Sequence, residues 1–239
     1  IAFRLGRDPA AGLTLIGAHT DSPGLRVKPQ PADSLHGVDR LAVEVYGGPI
    51  LATFADRDLS LAGRVVVDTP TGPQTRLLHI DRPLLRLPNL AIHMNREVNE
   101  AGLKFNKQTE LPPIFALSTA LPASERFRQL LAEHLSVAAS DILTWELAVC
   151  DTQQGCFWGA DGEFIAAPQL DNLASCHAAL RALLACQQPQ KTALIALFDH
   201  EEVGSESGTG AGGRFLEDVL ARIAQQQALD AEDQQRALR

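Results

Sequence analysis

Apolar residues follow two different periods along this chain, and the places where one gives way to the other divide it. Leu13-Thr-Leu-Ile-Gly-Ala18 is a short apolar run behind Gly12 that empties into His19-Thr-Asp-Ser-Pro-Gly24, which predicts a buried strand ending in a loop. From about Leu41 to Val67 the pattern alternates. Leu41, Val43 and Val45 share one face, Ala42, Glu44 and Tyr46 the other, and Gly47-Gly48-Pro49 ends the run. Arg64-Val-Val-Val67 adds another β-like stretch, and alternation returns at Leu143, Trp145, Leu147 and Val149. Before it, Phe127, Leu130, Leu131 and Leu135 mark one face of a helix that Ser124 is placed to cap. After Pro168 the period lengthens to that of a helix, with Leu173, Cys176, Leu180, Leu183 and Leu184 on one face and Asp171 just before it as the expected cap. A second apolar strand over 192–198 delivers Asp199-His-Glu-Glu202, followed by a Gly/Ser loop from Gly204 to Gly213. A helix with Leu216, Val219, Leu220 and Ile223 on its apolar stripe comes next, and the polar tail from Gln225 to Gln235 reads as its exposed end. The flanks therefore read as strand-loop-helix α/β and the middle as β-rich with helical decoration. In open α/β sheets, sites form where strands end.

Composition narrows this picture. At 239 residues and 45% apolar the chain suffices for one large domain or two modest ones, which excludes a disordered chain. Acidic side chains outnumber basic ones 29 to 21, a formal charge of −8, so the basic stripe that nucleic-acid binding needs is missing and no nucleic-acid partner is expected. No apolar run approaches the ~20 residues that span a bilayer. Ile1-Ala-Phe-Arg-Leu5 carries neither an initiator Met nor a signal pattern, so the expectation is a soluble chain with no membrane partner that does not start at a natural N-terminus. Cys150, Cys156, Cys176 and Cys186 form no Cys-x-x-Cys pair, which argues against a disulfide framework or thiolate zinc site and for a reducing, cytoplasmic setting.

The residues with chemistry to offer are His19, Asp171 and the pair Glu201-Glu202, each at a strand or helix end. An imidazole with carboxylates is a donor set for zinc and related divalent ions. Asp21, two residues after His19, can accept the other ring N–H and fix its tautomer. Singly, each is most often just the polar end of a strand. Two adjacent carboxylates after an apolar strand say more, because crowding raises one pKa unless a cation holds them. Gly208, Gly210 and Gly213 match G-x-G-x-x-G, but the residues from His200 to Ser207 separate them from the strand, which favours a flexible loop with positive φ over a phosphate site. Cys176 and His177 point about 100° apart on a helix and make no nucleophile-base pair, so Cys176 reads as core. His93, in Leu90-Ala-Ile-His-Met94, reads by itself as a buried, satisfied histidine.

His19-Thr-Asp-Ser-Pro-Gly24, Leu170-Asp-Asn-Leu173 and Asp199-His-Glu-Glu-Val-Gly-Ser205, taken in this order, resemble the aspartyl aminopeptidase family of di-zinc metallopeptidases. Val45-Tyr-Gly-Gly48, the stretch from Asp56 to Arg64, Pro88-Asn-Leu-Ala-Ile-His93 and the stretch from Asn106 to Pro113 look like that family's segments as well, so the resemblance covers nearly the whole chain. It implies an α/β fold: a mixed-sheet metallopeptidase domain with helices on both faces (1–30 and 163–239) interrupted by a β-rich dimerisation domain (31–162). By the same resemblance His19 would ligate one zinc, Asp171 would bridge two, Glu202 would ligate and Glu201 would be the general base, with Asp21 orienting His19. His93 would reach a neighbouring subunit's active site, in a dimer building into a dodecamer that takes peptides with an acidic N-terminal residue. The family's pattern sets a further carboxylate and histidine beyond the two glutamates. The expectation is accordingly an incomplete core, with 239 residues that are by themselves inactive or weakly active. Two other readings share these residues: a non-catalytic assembly subunit, and a related di-metal peptidase or deacylase with another side-chain preference.

Overall fold

The computed structural model describes residues 1–227, 229, 232 and 233. In chain order the strands are β1 (Ala2–Arg4), β2 (Leu13–His19), β3 (Gly24–Leu35), β4 (Val38–Tyr46), β5 (Leu59–Val67), β6 (Gln74–His79), β7 (Ile114–Leu117), β8 (Ile142–Asp151), β9 (Cys156–Trp158), β10 (Phe164–Ala166) and β11 (Thr192–Phe198). The α-helices are α1 (Val98–Ala101), α2 (Ala123–Leu135), α3 (Leu170–Ala185) and α4 (Phe215–Gln226). The chain divides into two compact units, Ile1–Ser22 with the described residues from Gln169 onward, and Pro23–Pro168. The first division lies at 22/23, ahead of β3, which starts at Gly24 and whose first residues already pair with the end of β4.

In the first unit the strand order is β1-β11-β2, a mixed sheet in which β2 runs parallel to β11 and β1 antiparallel to it. Ala179 and Leu183 of α3 close over Ile195, with Ala2 and Ala193 packed alongside. One residue beyond Ala2, Phe3 points to the opposite face and lines a groove with Val219 and Ile223 of α4, so the two helices cover opposite faces. The four stripe positions predicted for α4 are, with Ala224, its partly buried ones. Of those predicted for α3, only Cys176 and Leu183 are buried. Cys176, Ala179 and Leu183 face inward while Leu173, Leu180 and Leu184 are 41–52% exposed. Ala179 rather than a leucine takes the inner position because a small side chain lets the helix approach the strand closely. The predicted buried strand β2 also departs from expectation: its only sheet neighbour among the described residues is β11, and Leu15 and Ile16 are exposed. Of the polar tail, Gln234 and Gln235 lie outside the described residues.

In the second unit an antiparallel sheet of order β6-β5-β8-β3-β4-β7 carries α2. Leu25, Leu41, Leu61, Val65, Leu147, Phe127 and Leu131 are fully buried there, and the Phe127 ring meets Phe115 and Trp145 edge-on at 6.1 and 5.7 Å. Alternation in β4 is as read: Leu41 and Val43 are buried and Glu44 exposed. In β8 the face read at Trp145, Leu147 and Val149 holds, and only Leu143 departs from it. A bulge where Val66 pairs Thr144 and Val67 pairs Ile142 puts Ile142 inside and leaves Leu143 exposed. Helix α2 is entered through Pro122, and Ser124, already inside the first turn, makes no cap. Among the described residues no helix is long and apolar enough to cross a membrane.

Candidate metal centre

Parallel pairing of β2 and β11 puts His19 opposite Phe198, so both strands release their polar followers at the same sheet edge. Thr20 ties the two exits together, donating its N–H and its hydroxyl to the Phe198 carbonyl at 2.8 and 3.0 Å. The start of α3 is laced to the same edge. Asn172 Oδ1 accepts from His19 N–H (3.2 Å), the Cys176 thiol donates to the His19 carbonyl (3.0 Å) and Ser22 Oγ donates to the Asp171 carbonyl (3.2 Å). Asp171 is therefore no helix cap. Its backbone is extended (φ −83°, ψ 111°), the Asp171-Asn172 peptide is cis, and regular helix begins after Asn172.

This lacing gathers the residues that the sequence marked. His19 Nε2 lies 3.3 Å from Asp171 Oδ1 and 3.8 Å from Glu201 Oε2. His19 Nδ1 faces Asp21, 3.1 Å from its backbone carbonyl and 3.4 Å from Oδ1. The ring's orienting partner is thus Asp21 through its main chain as much as through its carboxylate. The buried Asp21 carboxylate has a second task, accepting the N–H groups of Glu201 and Glu202 at 3.2 Å each. One side chain on the β2 exit thereby fixes the turn after β11.

His19, Glu201 and Glu202 each offer a ligand atom, all within 4.8 Å of one another. Burial, the neighbouring Glu201 and, more weakly, Asp21 and Asp171 push the Glu202 carboxyl above its ordinary pKa, with His19 opposing. Four carboxylates crowded around one imidazole repel each other unless a cation sits among them. With Nδ1 occupied by Asp21, Nε2 is the nitrogen turned toward Asp171 and Glu201. This donor set of one imidazole nitrogen and carboxylate oxygens fits a divalent ion such as zinc.

The remaining marked residues fare differently. His93 belongs to the second unit, exposed on the 3-10 turn Ile92–Met94, not buried as its apolar neighbours suggested. In the Gly/Ser loop Gly204 takes the expected positive φ (99°), whereas Gly210 and Gly213 serve close approach: a Cβ on Gly210 would meet the Ser205 carbonyl at 2.2 Å, and one on Gly213 the Gly208 carbonyl at 2.7 Å. Cys176 is core, its thiol pushed upward in pKa by burial, and His177 is exposed. Asn172, Ser22 and His200 were not marked by sequence. Their side-chain types are common in solvated loops, and the meeting of segments about 150 residues apart is what joins Asn172 to His19 and Ser22 to Asp171.

A family model described as aminopeptidase I zinc metalloprotease (M18) matches residues 1–238. A probable M18 family aminopeptidase 2 of Stutzerimonas stutzeri is 48% identical over 244 residues, covering 100% of this chain and 55% of its own length. A relative of the same description from Streptomyces avermitilis is 43% identical over 97% of this chain and 54% of its own. The chain thus spans about half the length of these relatives. Among solved structures, an M18 aminopeptidase from Thermotoga maritima superposes with a TM-score of 0.80 at 27% identity, over 97% of this chain and 52% of that one. The S. cerevisiae mApe1 dodecamer superposes with a TM-score of 0.77 at 26% identity, over 93% and 52%.

Proposed function

This chain belongs to the M18 family of aminopeptidase I zinc metalloproteases, and on that premise we propose that it carries the metal-binding core of an aminopeptidase that removes N-terminal Asp or Glu from peptides in the cytoplasm. The observation that carries the reading is the convergence of His19 Nε2, Asp171, Glu201 and Glu202 on one sheet edge. In this reading His19, Asp171 and Glu202 would hold zinc, Asp171 being the carboxylate a pair of ions would share. Zinc bound there supplies Lewis acidity, acidifying water and polarising the scissile carbonyl. Glu201 accepts the attacking water's proton on a carboxylate oxygen and returns it to the departing amine nitrogen, which leaves poorly while unprotonated. The division between the glutamates is supported by their settings. Glu201 is 54% exposed and can exchange protons with solvent, whereas Glu202 is partly buried among like charges and gains most from a bound cation. Asp21 holds both in place through their amides. Self-assembly through the β-rich unit, with His93 reaching a neighbouring subunit, is the corresponding proposal for the second unit, and the mApe1 dodecamer supports it.

Zinc analysis together with hydrolysis of Asp-, Glu-, Leu- and Ala-anilides tests this. The expected outcome is zinc uptake, with hydrolysis by these 239 residues weak at most and faster for the acidic anilides than for the Leu- and Ala-anilides. Equal or faster cleavage of the Leu-anilide would move the substrate class to apolar N-termini, and absence of zinc uptake would favour a non-catalytic subunit.

A further inference from the structure

The turn that carries Glu201 and Glu202 is gripped from two sides. Asp21 holds the two amides. On the other side stands His200, in the left-handed region (φ 58°, ψ 24°), where the chain reverses out of β11. Its ring nitrogen Nδ1 lies 2.6 Å from Ser207 Oγ and 3.4 Å from Thr209 Oγ1, both in the glycine-rich loop that follows. Ser207 Oγ accepts the Gly210 N–H at 3.1 Å and still has both a proton and a lone pair for Nδ1, so the bond to the ring forms in either tautomer. The other ring nitrogen, Nε2, faces the Asp199 carboxylate 3.6 Å away. Main-chain bonds reinforce the knot: the Thr209 carbonyl accepts from Asp199 N–H (3.2 Å), the His200 carbonyl from Ser205 N–H (2.8 Å) and the Ser205 carbonyl from Gly212 N–H (3.0 Å). At Gly210 and Gly213 the backbone of the loop packs so closely on itself that no side chain fits.

We propose that His200 is a positioning residue: through Ser207 its ring pins the loop of residues 204–213 to the glutamate turn and so sets the direction in which Glu201 and Glu202 face His19. The inference rests on the metal-centre reading, but it concerns hydrogen bonds that exist without metal. Orienting partners one step removed from ligands commonly change metal affinity by about 10–100-fold.

Four variants separate the ring from the backbone it sits on. Glycine and asparagine both accept left-handed φ, so His200→Gly removes the ring bond without backbone strain. His200→Asn keeps a polar atom attached to Cγ, as Nδ1 is. Ser207→Ala cuts the same bond from the other end, and the His200→Gly/Ser207→Ala double variant shows whether it is one bond. Zinc affinity is read by competition with a chromophoric chelator, and loop order by hydrogen exchange of the Ser205 and Gly210 amides in metal-free protein. The expected result is zinc affinity about tenfold weaker in His200→Gly and Ser207→Ala, no weaker in the double variant than in either, restored to near wild type in His200→Asn, and faster exchange wherever affinity falls. Wild-type affinity and exchange in His200→Gly, or losses that add in the double variant, would overturn the proposal. Zinc uptake that survives His19→Ala would overturn the metal-centre reading instead. Exchange rates then decide the pinning by themselves, unchanged rates in Ser207→Ala counting against it and faster rates for it.

Discussion

At the scale of single residues the molecule hinges on adjacent glutamates with unlike surroundings. Glu201 and Glu202 follow one another in sequence, their amides share one acceptor, and still one is more than half exposed while the other is desolvated among carboxylates. That difference predicts separable variants. Glu201→Gln should take up zinc as the wild type does and lose turnover, by a factor of about 10²–10⁴ for a general acid-base. His19→Ala should lose zinc and turnover together, since Nε2 is the donor turned toward Asp171 and Glu201. Zinc content measured beside anilide hydrolysis checks both, and equal zinc loss in the two variants would exchange the roles of the glutamates. His19, Asp21, Asp171 and the glutamate pair were legible because each breaks an apolar run where a strand or helix ends. Asn172 and His200 were not, since nothing local separates an asparagine that holds His19 N–H from one that meets water.

At the scale of elements, strand and helix positions followed from periodicity, but the face each presents did not always do so. Helix α3 shows the difference. Its leucines at 173, 180 and 184 suggested the buried stripe, yet the close approach to β11 is made by Ala179 beside Leu183. Accordingly, Ala179→Leu should overpack the contact with Ile195 and destabilise the first unit by about 1–3 kcal/mol. Leu180→Ala, at a position 42% exposed, should cost under about 1 kcal/mol. Urea midpoints of the two variants check this, and the reverse order would restore the leucine face. In β8 the bulge does similar work, handing the inner position to Ile142. A bulge depends on the partner strand, so alternation in one strand alone cannot reveal it.

At the scale of the whole molecule each unit has a core of its own, and the second also holds a buried charge. Asp39 is fully buried on β4, accepting from Ser34 Oγ (2.7 Å), Ser118 Oγ (2.8 Å) and Arg126 Nη1 (3.3 Å), which joins β3, the segment after β7 and α2. Burial by itself raises this carboxyl, but those hydrogen bonds and the Arg126 charge together hold it below its ordinary value. A carboxylate depressed in the folded state contributes stability that is complete above its unfolded pKa of about 3.9 and is lost as pH falls through the lower folded value. Asp39→Asn should therefore lower stability at pH 7 and flatten its dependence on pH below about 4. Urea titrations at a series of pH values check this, and an unchanged acid slope would show that Asp39 is not the group responsible. The sequence by itself determined the strand-loop-helix flanks, the β-rich middle and the acidic and imidazole groups available for a metal, because periodicity and side-chain chemistry are local properties. Only the tertiary structure decided that β2 and β11 run parallel in a register that sets His19 beside Phe198, that Asp21 reaches across to the glutamate amides, and that Ala179 rather than Leu180 joins Leu183 against the sheet. Each of these depends on segments distant along the chain meeting at one register and depth, which close packing fixes and no local pattern encodes.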